Sequence, residues 1–256
     1  MCRMLIAIGK NIPLKPLLLN LKAMAQDKTI KHEHNNKEPF QHPDGWGISY
    51  LKHNRWITKK STKPIFKDQN ISKHFSIQTP IFLAHVRKTS GTSISYENTH
   101  PFHIKTKHHK PNDPILQNIT FCHNGSINDN ITFDTSLFTP QGQTDTEQLL
   151  YAILTEYHQT NNLIQSIQHQ IKQLQNYSGT NIILATPQQT IIALAKNKYP
   201  KYFQMYLHQT KNYTIISSES LQHPKFKSNN LITQSLAQET LLIIDNNTRE
   251  IEFVKL

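Results

Sequence analysis

The chain has 256 residues, of which 36% are hydrophobic, so one large domain spanning 1–256 can bury a full core. No apolar stretch reaches the roughly 18–20 residues of a membrane span, which excludes a helical membrane protein. A formal charge of +11, from 28 Lys and Arg against 17 Asp and Glu, permits a nucleic-acid partner, but the basic residues are scattered and a solvated basic surface is the plainer reading.

Cys2 to Gly9, behind Met1, is an apolar run too short for a helix and reads as a buried strand. Lys10, Asn11 and Pro13 end it before it makes a secretory h-region, so the expected location is cytoplasmic. Leu17, Leu18, Leu21 and Met24 lie at helical spacing and predict a helix over 13–26. Strands follow at 47–51, 55–58, 81–86 and 119–122, the last ending at a His123-Asn124-Gly125 turn. Thr144 or Thr146 caps a helix to about His158, and a second helix covers 161–173. Strands are expected at 181–186, 190–195, 202–207, 213–217, 240–244 and 250–254. Strands, two helices and more strands predict an α+β domain with two stacked sheets and helices outside.

Polar blocks interrupt these elements: His42-Pro43-Asp44-Gly45-Trp46-Gly47, His85-Val86-Arg87-Lys88-Thr89, Asn98-Thr99-His100-Pro101-Phe102, His123-Asn124-Gly125 and Thr144-Asp145-Thr146-Glu147. The chain has only 7 glycines, and Gly45, Gly47, Gly91 and Gly125 fall within or between the blocks, which therefore read as structured loops around a site. Removal of Met1 by an aminopeptidase, expected before so small a residue, leaves Cys2 with a free α-amine and a thiol. An unperturbed α-amine has a pKa of about 8 and an unperturbed thiol one of about 8.5, so such a residue pairs a nucleophile with a base. By itself, a cysteine here is ordinarily a buried or indifferent thiol. Cys2 and Cys122 are both read as free thiols, and no Cys or His spacing suits a metal.

If Cys2 attacks an acyl group, Asn124 and Gly125 suit an oxyanion hole, one giving an amide NH2 and the other a backbone N–H where the missing Cβ lets substrate approach. Asn-Gly is also a strong hairpin signal. Arg87 at a strand end fits a carboxylate or a surface ion pair. Asp145 fits an ammonium or a helix cap. His100 orients a loop or substrate, or is a buried structural histidine, and Trp46 is core or pocket wall.

These blocks, in order after Met-Cys-Arg, resemble the class II glutamine amidotransferases. More narrowly they resemble the stand-alone members related to the γ-glutamyl hydrolases of ergothioneine biosynthesis and glutathione degradation. Ser217-Ser218-Glu219-Ser220-Leu221 is similar to an Ala-Ser-Glu-Pro-Leu segment of those proteins. The resemblance implies a four-layer αββα sandwich of N-terminal nucleophile hydrolase type, with no cofactor. It implies Cys2 as nucleophile, Asn124 and Gly125 as oxyanion hole, Arg87 on the substrate α-carboxylate, Asp145 on its α-ammonium, and Thr89 and His100 lining the pocket. The small-molecule substrate is then glutamine, or alternatively a γ-glutamyl peptide or conjugate, with an ammonia-accepting partner on another chain or the product released. A non-catalytic basic nucleic-acid-binding module is the reading from another class. A long basic loop over 103–118 and Ser220 in place of proline depart from the family pattern.

Overall fold

The computed structural model describes residues 1–34, 38–104, 118–227 and 231–256; most of the basic loop expected over 103–118, with Pro111 and Pro114, lies outside them. In chain order the elements are β1 (Arg3–Gly9), α1 (Leu14–Ala25), β2 (Trp46–Lys52), β3 (Arg55–Ser61), β4 (Ile81–Val86), β5 (Phe102–His103) and β6 (Thr120–Ile127). They continue with α2 (Asp145–Thr160), α3 (Leu163–Gln173), β7 (Tyr177–Ala185), β8 (Gln189–Leu194), β9 (Tyr206–Gln209), β10 (Tyr213–Ser217), β11 (Ile232–Ser235), β12 (Thr240–Asp245) and β13 (Ile251–Lys255). A 3₁₀ helix over Gln69–His74 and a helical turn at Pro224–Lys227 complete the set.

Two antiparallel sheets stack face to face, ordered β11-β9-β10-β1-β4-β2-β3 and β13-β12-β8-β7-β6-β5. β1 is central, and both its faces are covered, which is why it is an apolar run rather than an alternation. Met4, Ile6 and Ile8 enter the layer between the sheets with Cys122, Ile183, Ile192 and Leu242. Leu5 and Ala7 point the other way, onto Leu17, Leu18 and Leu21 of α1. On the far side, Leu149, Leu150, Ile153 and Leu154 of α2 and Ile167 of α3 cover Phe121, Ile182 and Leu184. Each such buried Leu or Ile contributes about 1.5–3 kcal/mol by leaving water. The layers therefore run α, β, β, α, the sandwich expected from the sequence.

Two expectations need correction. His123-Asn124-Gly125 is not a turn: β6 continues through it, pairing His123 with Ile182, Asn124 with Asn181 and Gly125 with Thr180. The strand expected over 202–207 starts only at Tyr206, because Tyr202 and Phe203 lie in a turn that buries both rings. Trp46 is core, with its indole N–H donated to Asp68 Oδ2 at 3.1 Å.

Gly47 shows how closely the polar loops pack on the sheet. A Cβ there would lie 2.2 Å from the His100 carbonyl oxygen, which is backbone and cannot swing aside. Gly47→Ala is expected to destabilise the protein by about 1–3 kcal/mol, read from the shift of a urea unfolding midpoint.

Candidate active site

The sandwich brings Cys2, at the mouth of β1, against β6 of the opposite sheet. The Cys2 backbone N–H donates to Asn124 Oδ1 at 2.7 Å, joining residues 122 positions apart. Cys2 is 5% exposed, and its Sγ lies 3.9 Å from the Lys88 carbonyl oxygen. The Met1 amine donates to that same carbonyl at 2.8 Å. Asn124 is fully buried, yet its Nδ2 has no hydrogen-bond partner among the described residues. A buried amide donor left open is uncommon in a folded protein and is what a binding site displays. Gly125 stands beside it for a reason other than the expected one. A Cβ there would fall 1.6 Å from the Gly179 carbonyl oxygen, so the missing side chain makes room for the neighbouring strand rather than for substrate.

Arg87 extends β4 by backbone bonds with the Asp44–Gly45 loop, donating to the Gly45 carbonyl at 2.9 Å and accepting from Asp44 N–H at 3.0 Å. It is 3% exposed and forms no ion pair among the described residues, so the surface-pair alternative falls. Its Nη2 donates to Thr92 Oγ1 at 2.6 Å and Thr89 Oγ1 at 3.3 Å, while Nη1 is buried without a partner. Burial works against its charge; Cys2, Asp44 and Asp145 are close enough to favour it, in that order. Thr89 is spent within its loop, donating its hydroxyl to the Thr92 carbonyl at 2.7 Å and its N–H to Asp44 Oδ2 at 2.9 Å. It braces Arg87.

Asp145 opens α2 but is not its cap; Thr144 Oγ1 accepts the Glu147 N–H at 3.2 Å and fills that role. Asp145 Oδ2 instead accepts from Ile127 N–H at 2.7 Å, where β6 loses its register, and ties the helix start to the end of that strand. His100 is buried, its ring 4.1 Å from His85 and 4.8 Å from Phe102 between centroids, with Nδ1 unpartnered among the described residues. Desolvation holds His100 well below the usual histidine range, so it is a neutral ring at physiological pH.

Sequence reasoning assigned no role to the groups that fix the Cys2 backbone from behind. Tyr202 Oη donates to the Cys2 carbonyl at 3.1 Å. Its only proton is used there, so the contact with His42 Nε2 at 2.7 Å must be a donation from His42, which sets that neutral tautomer. Burial keeps His42 well below its ordinary range. The Arg3 guanidinium lies over the Tyr202 ring at 3.9 Å and donates Nη1 to the Tyr202 carbonyl at 2.8 Å. Arg3 Nε is also 2.7 Å from Glu219 Oε1, attracted by charge but off the hydrogen-bond axis. The Ser217–Leu221 segment thereby closes on the residue that follows Cys2. His42 and Glu219 both lie within motif segments of the sequence, whereas Tyr202 stands in none.

A family model described as "Glutamine amidotransferases class-II" matches residues 1–199, and the chain belongs to that family, whose members hydrolyse or transfer the amide of glutamine. The fold is that of an N-terminal nucleophile hydrolase. YafJ of Escherichia coli K12, whose name marks it as a candidate glutamine amidotransferase, is 29% identical over 46% of this chain and 46% of its own length. A Haemophilus influenzae protein named in the same way is 25% identical over 61% of this chain and 53% of its own. The chain thus spans about half the length of these relatives. The glutamine phosphoribosylpyrophosphate amidotransferase of B. subtilis superposes over 100% of this chain and 49% of its own, with TM-score 0.65 at 17% identity. A class-II domain protein of Silicibacter pomeroyi covers 100% of this chain and 99% of its own at TM-score 0.60 and 14% identity. These two likenesses show the fold.

Tyr202→Phe removes the bond to the Cys2 carbonyl and strands a buried His42 donor. A loss of about 1–3 kcal/mol is expected in denaturant titration, and His42→Leu in the same background should recover part of it.

Proposed function

We propose that Cys2, freed of Met1, is the nucleophile of a glutamine amidohydrolase. The observation that carries the reading is Asn124: one end of its amide holds the Cys2 nitrogen and the other is an open, buried donor. As a free amine, that nitrogen would take the thiol proton while donating to Asn124 Oδ1. The thiolate attacks the γ-carbonyl carbon of glutamine, and the oxygen that gains charge is met by Asn124 Nδ2 and the Gly125 N–H. Collapse expels ammonia with the proton from the α-amine and leaves a γ-glutamyl thioester. Water adds to the thioester carbonyl, the thiol departs, and glutamate is released.

Substrate binding divides between two charges. The open Nη1 of Arg87 suits the α-carboxylate, braced by Thr89, and Asp145 suits the α-ammonium. His100 and His85, both buried and held in neutral form, stand by as uncharged walls, so the site's positive charge is concentrated on Arg87.

Intact mass should show a chain without Met1, and the diazo-ketone analogue of glutamine should label Cys2 alone. Cys2→Ala is expected to abolish labelling and glutamate release. Asn124→Ala should lower kcat about 100- to 1,000-fold with KM little changed. Arg87→Ala should act mainly on KM. A retained Met1, or equal mild effects from all three changes, would overturn the assignment.

A further inference from the structure

A pocket that Cys2 does not line has Phe102 as one of its walls. It is a cavity of about 230 Å³ walled by Thr58, Lys60, Tyr96, Phe102, Gln141 and Glu147. Lys60 projects from β3 so that its Nζ sits 5.2 Å from the Tyr96 ring centroid and 5.0 Å from that of Phe102. Aromatic faces attract a cation but accept no directed bond comparable to a carboxylate's. No ion pair among the described residues includes Lys60. Glu147 cannot serve as its close partner, because its carboxylate is already committed. Oε1 accepts from Gln141 N–H at 2.8 Å and Tyr151 Oη at 3.2 Å, and Oε2 from Gly142 N–H at 2.8 Å. Glu97 is an exposed residue at the rim.

We infer that this cavity is a second ligand site, taking a small monocarboxylate with an apolar or aromatic body. The carboxylate meets the Lys60 ammonium, and the body lies against Tyr96 and Phe102. Glu97 and Glu147 oppose any ligand carrying two negative charges, so phosphate is disfavoured. None of Cys2, Arg87, Asn124 or Asp145 lines the cavity, and the inference stands whether or not the Cys2 chemistry is as proposed.

Burial, the dominant influence, brings the Lys60 amine down to about 8, against the pull of Glu147 and Glu97. A carboxylate binds the charged form, so its affinity is full below that value and falls as pH rises through it. His103, Tyr96, Glu97 and Glu147 also face the cavity and titrate or carry charge; variants at Lys60 separate their influence from its own.

The test is calorimetric titration of the whole chain with phenylacetate and, separately, inorganic phosphate. Phenylacetate should bind at about pH 7 and weaken at least about tenfold by about pH 9.5, with phosphate showing no saturable heat. Lys60→Gln should weaken binding about tenfold or more at the lower pH and abolish the pH dependence. Lys60→Arg should bind at both pH values, and Arg87→Ala should bind like the wild type. Three results would each overturn the inference: no phenylacetate binding at about pH 7, unchanged binding by Lys60→Gln, or loss of binding in Arg87→Ala, which would put the ligand in the Cys2 pocket instead.

Discussion

The 2.7 Å hydrogen bond from Cys2 N–H to Asn124 Oδ1 is the constraint on which the site rests. Its two ends belong to different sheets, so its length reports the spacing of the sandwich rather than any local turn. The separation is set by the side chains between the sheets: Met4 and Ile6 from below, Cys122 and Ile183 from above. Cys122 Sγ approaches Met4 Sδ at 3.5 Å, two residues along each strand from the bonded pair. A close-packed interior transmits small volume changes instead of absorbing them. The apolar layer thus acts as the gauge that holds the Cys2 backbone and the Asn124 amide at hydrogen-bonding distance.

Fixing Cys2 from one side would leave it free to rotate about that bond. The second restraint comes from Tyr202 on the Cys2 carbonyl, and it is supported at a cost. Arg3 and Glu219 are fully buried charges, and taking such a pair out of water is not repaid by their attraction alone. The aromatic face of Tyr202 and its backbone carbonyl supply the remaining contacts to Arg3. Glu219, with Arg3 lowering its pKa and burial raising it, ends above the ordinary carboxylate range, so desolvation is the larger influence. Such an arrangement is poor as a source of stability and good as a means of fixing one residue in one orientation.

Much of this was legible in the chain because apolar runs fall where both faces of a strand are covered. β1, β4 and β10 are read that way, and α2 and α3 from the spacing of Leu149, Ile153, Leu163 and Ile167. β11 escaped notice because it is an exposed edge strand with no buried face, and β5 because it has only two residues. Asn124-Gly125 was readable as a turn because local propensity favours one. Tertiary pairing with β7 overrode it, and the Gly179 carbonyl explains the glycine without any turn. The site was legible as a set of residue types, and Thr144, one of the two expected caps, does cap α2; what spacing left open is what each polar side chain already holds, Asp145 the Ile127 N–H and Thr89 the Thr92 carbonyl. Which member of a polar block is already satisfied by its neighbours is decided by distances that no spacing encodes.

What remains unsatisfied is informative for the same reason. Asn124 Nδ2 and Arg87 Nη1 are both buried donors without partners among the described residues, and the cost of each is roughly 1–3 kcal/mol or more. A fold that only needed to be stable would close them with a nearby carbonyl or hydroxyl, as Thr92 already does for Arg87 Nη2. Both donors belong to groups held by other bonds, Asn124 through Oδ1 and Arg87 through Nη2, so neither can turn away to find a partner. Open donors on restrained side chains need little reorganisation when negative charge arrives, which is the condition under which a hydrogen bond discriminates a transition state from a ground state.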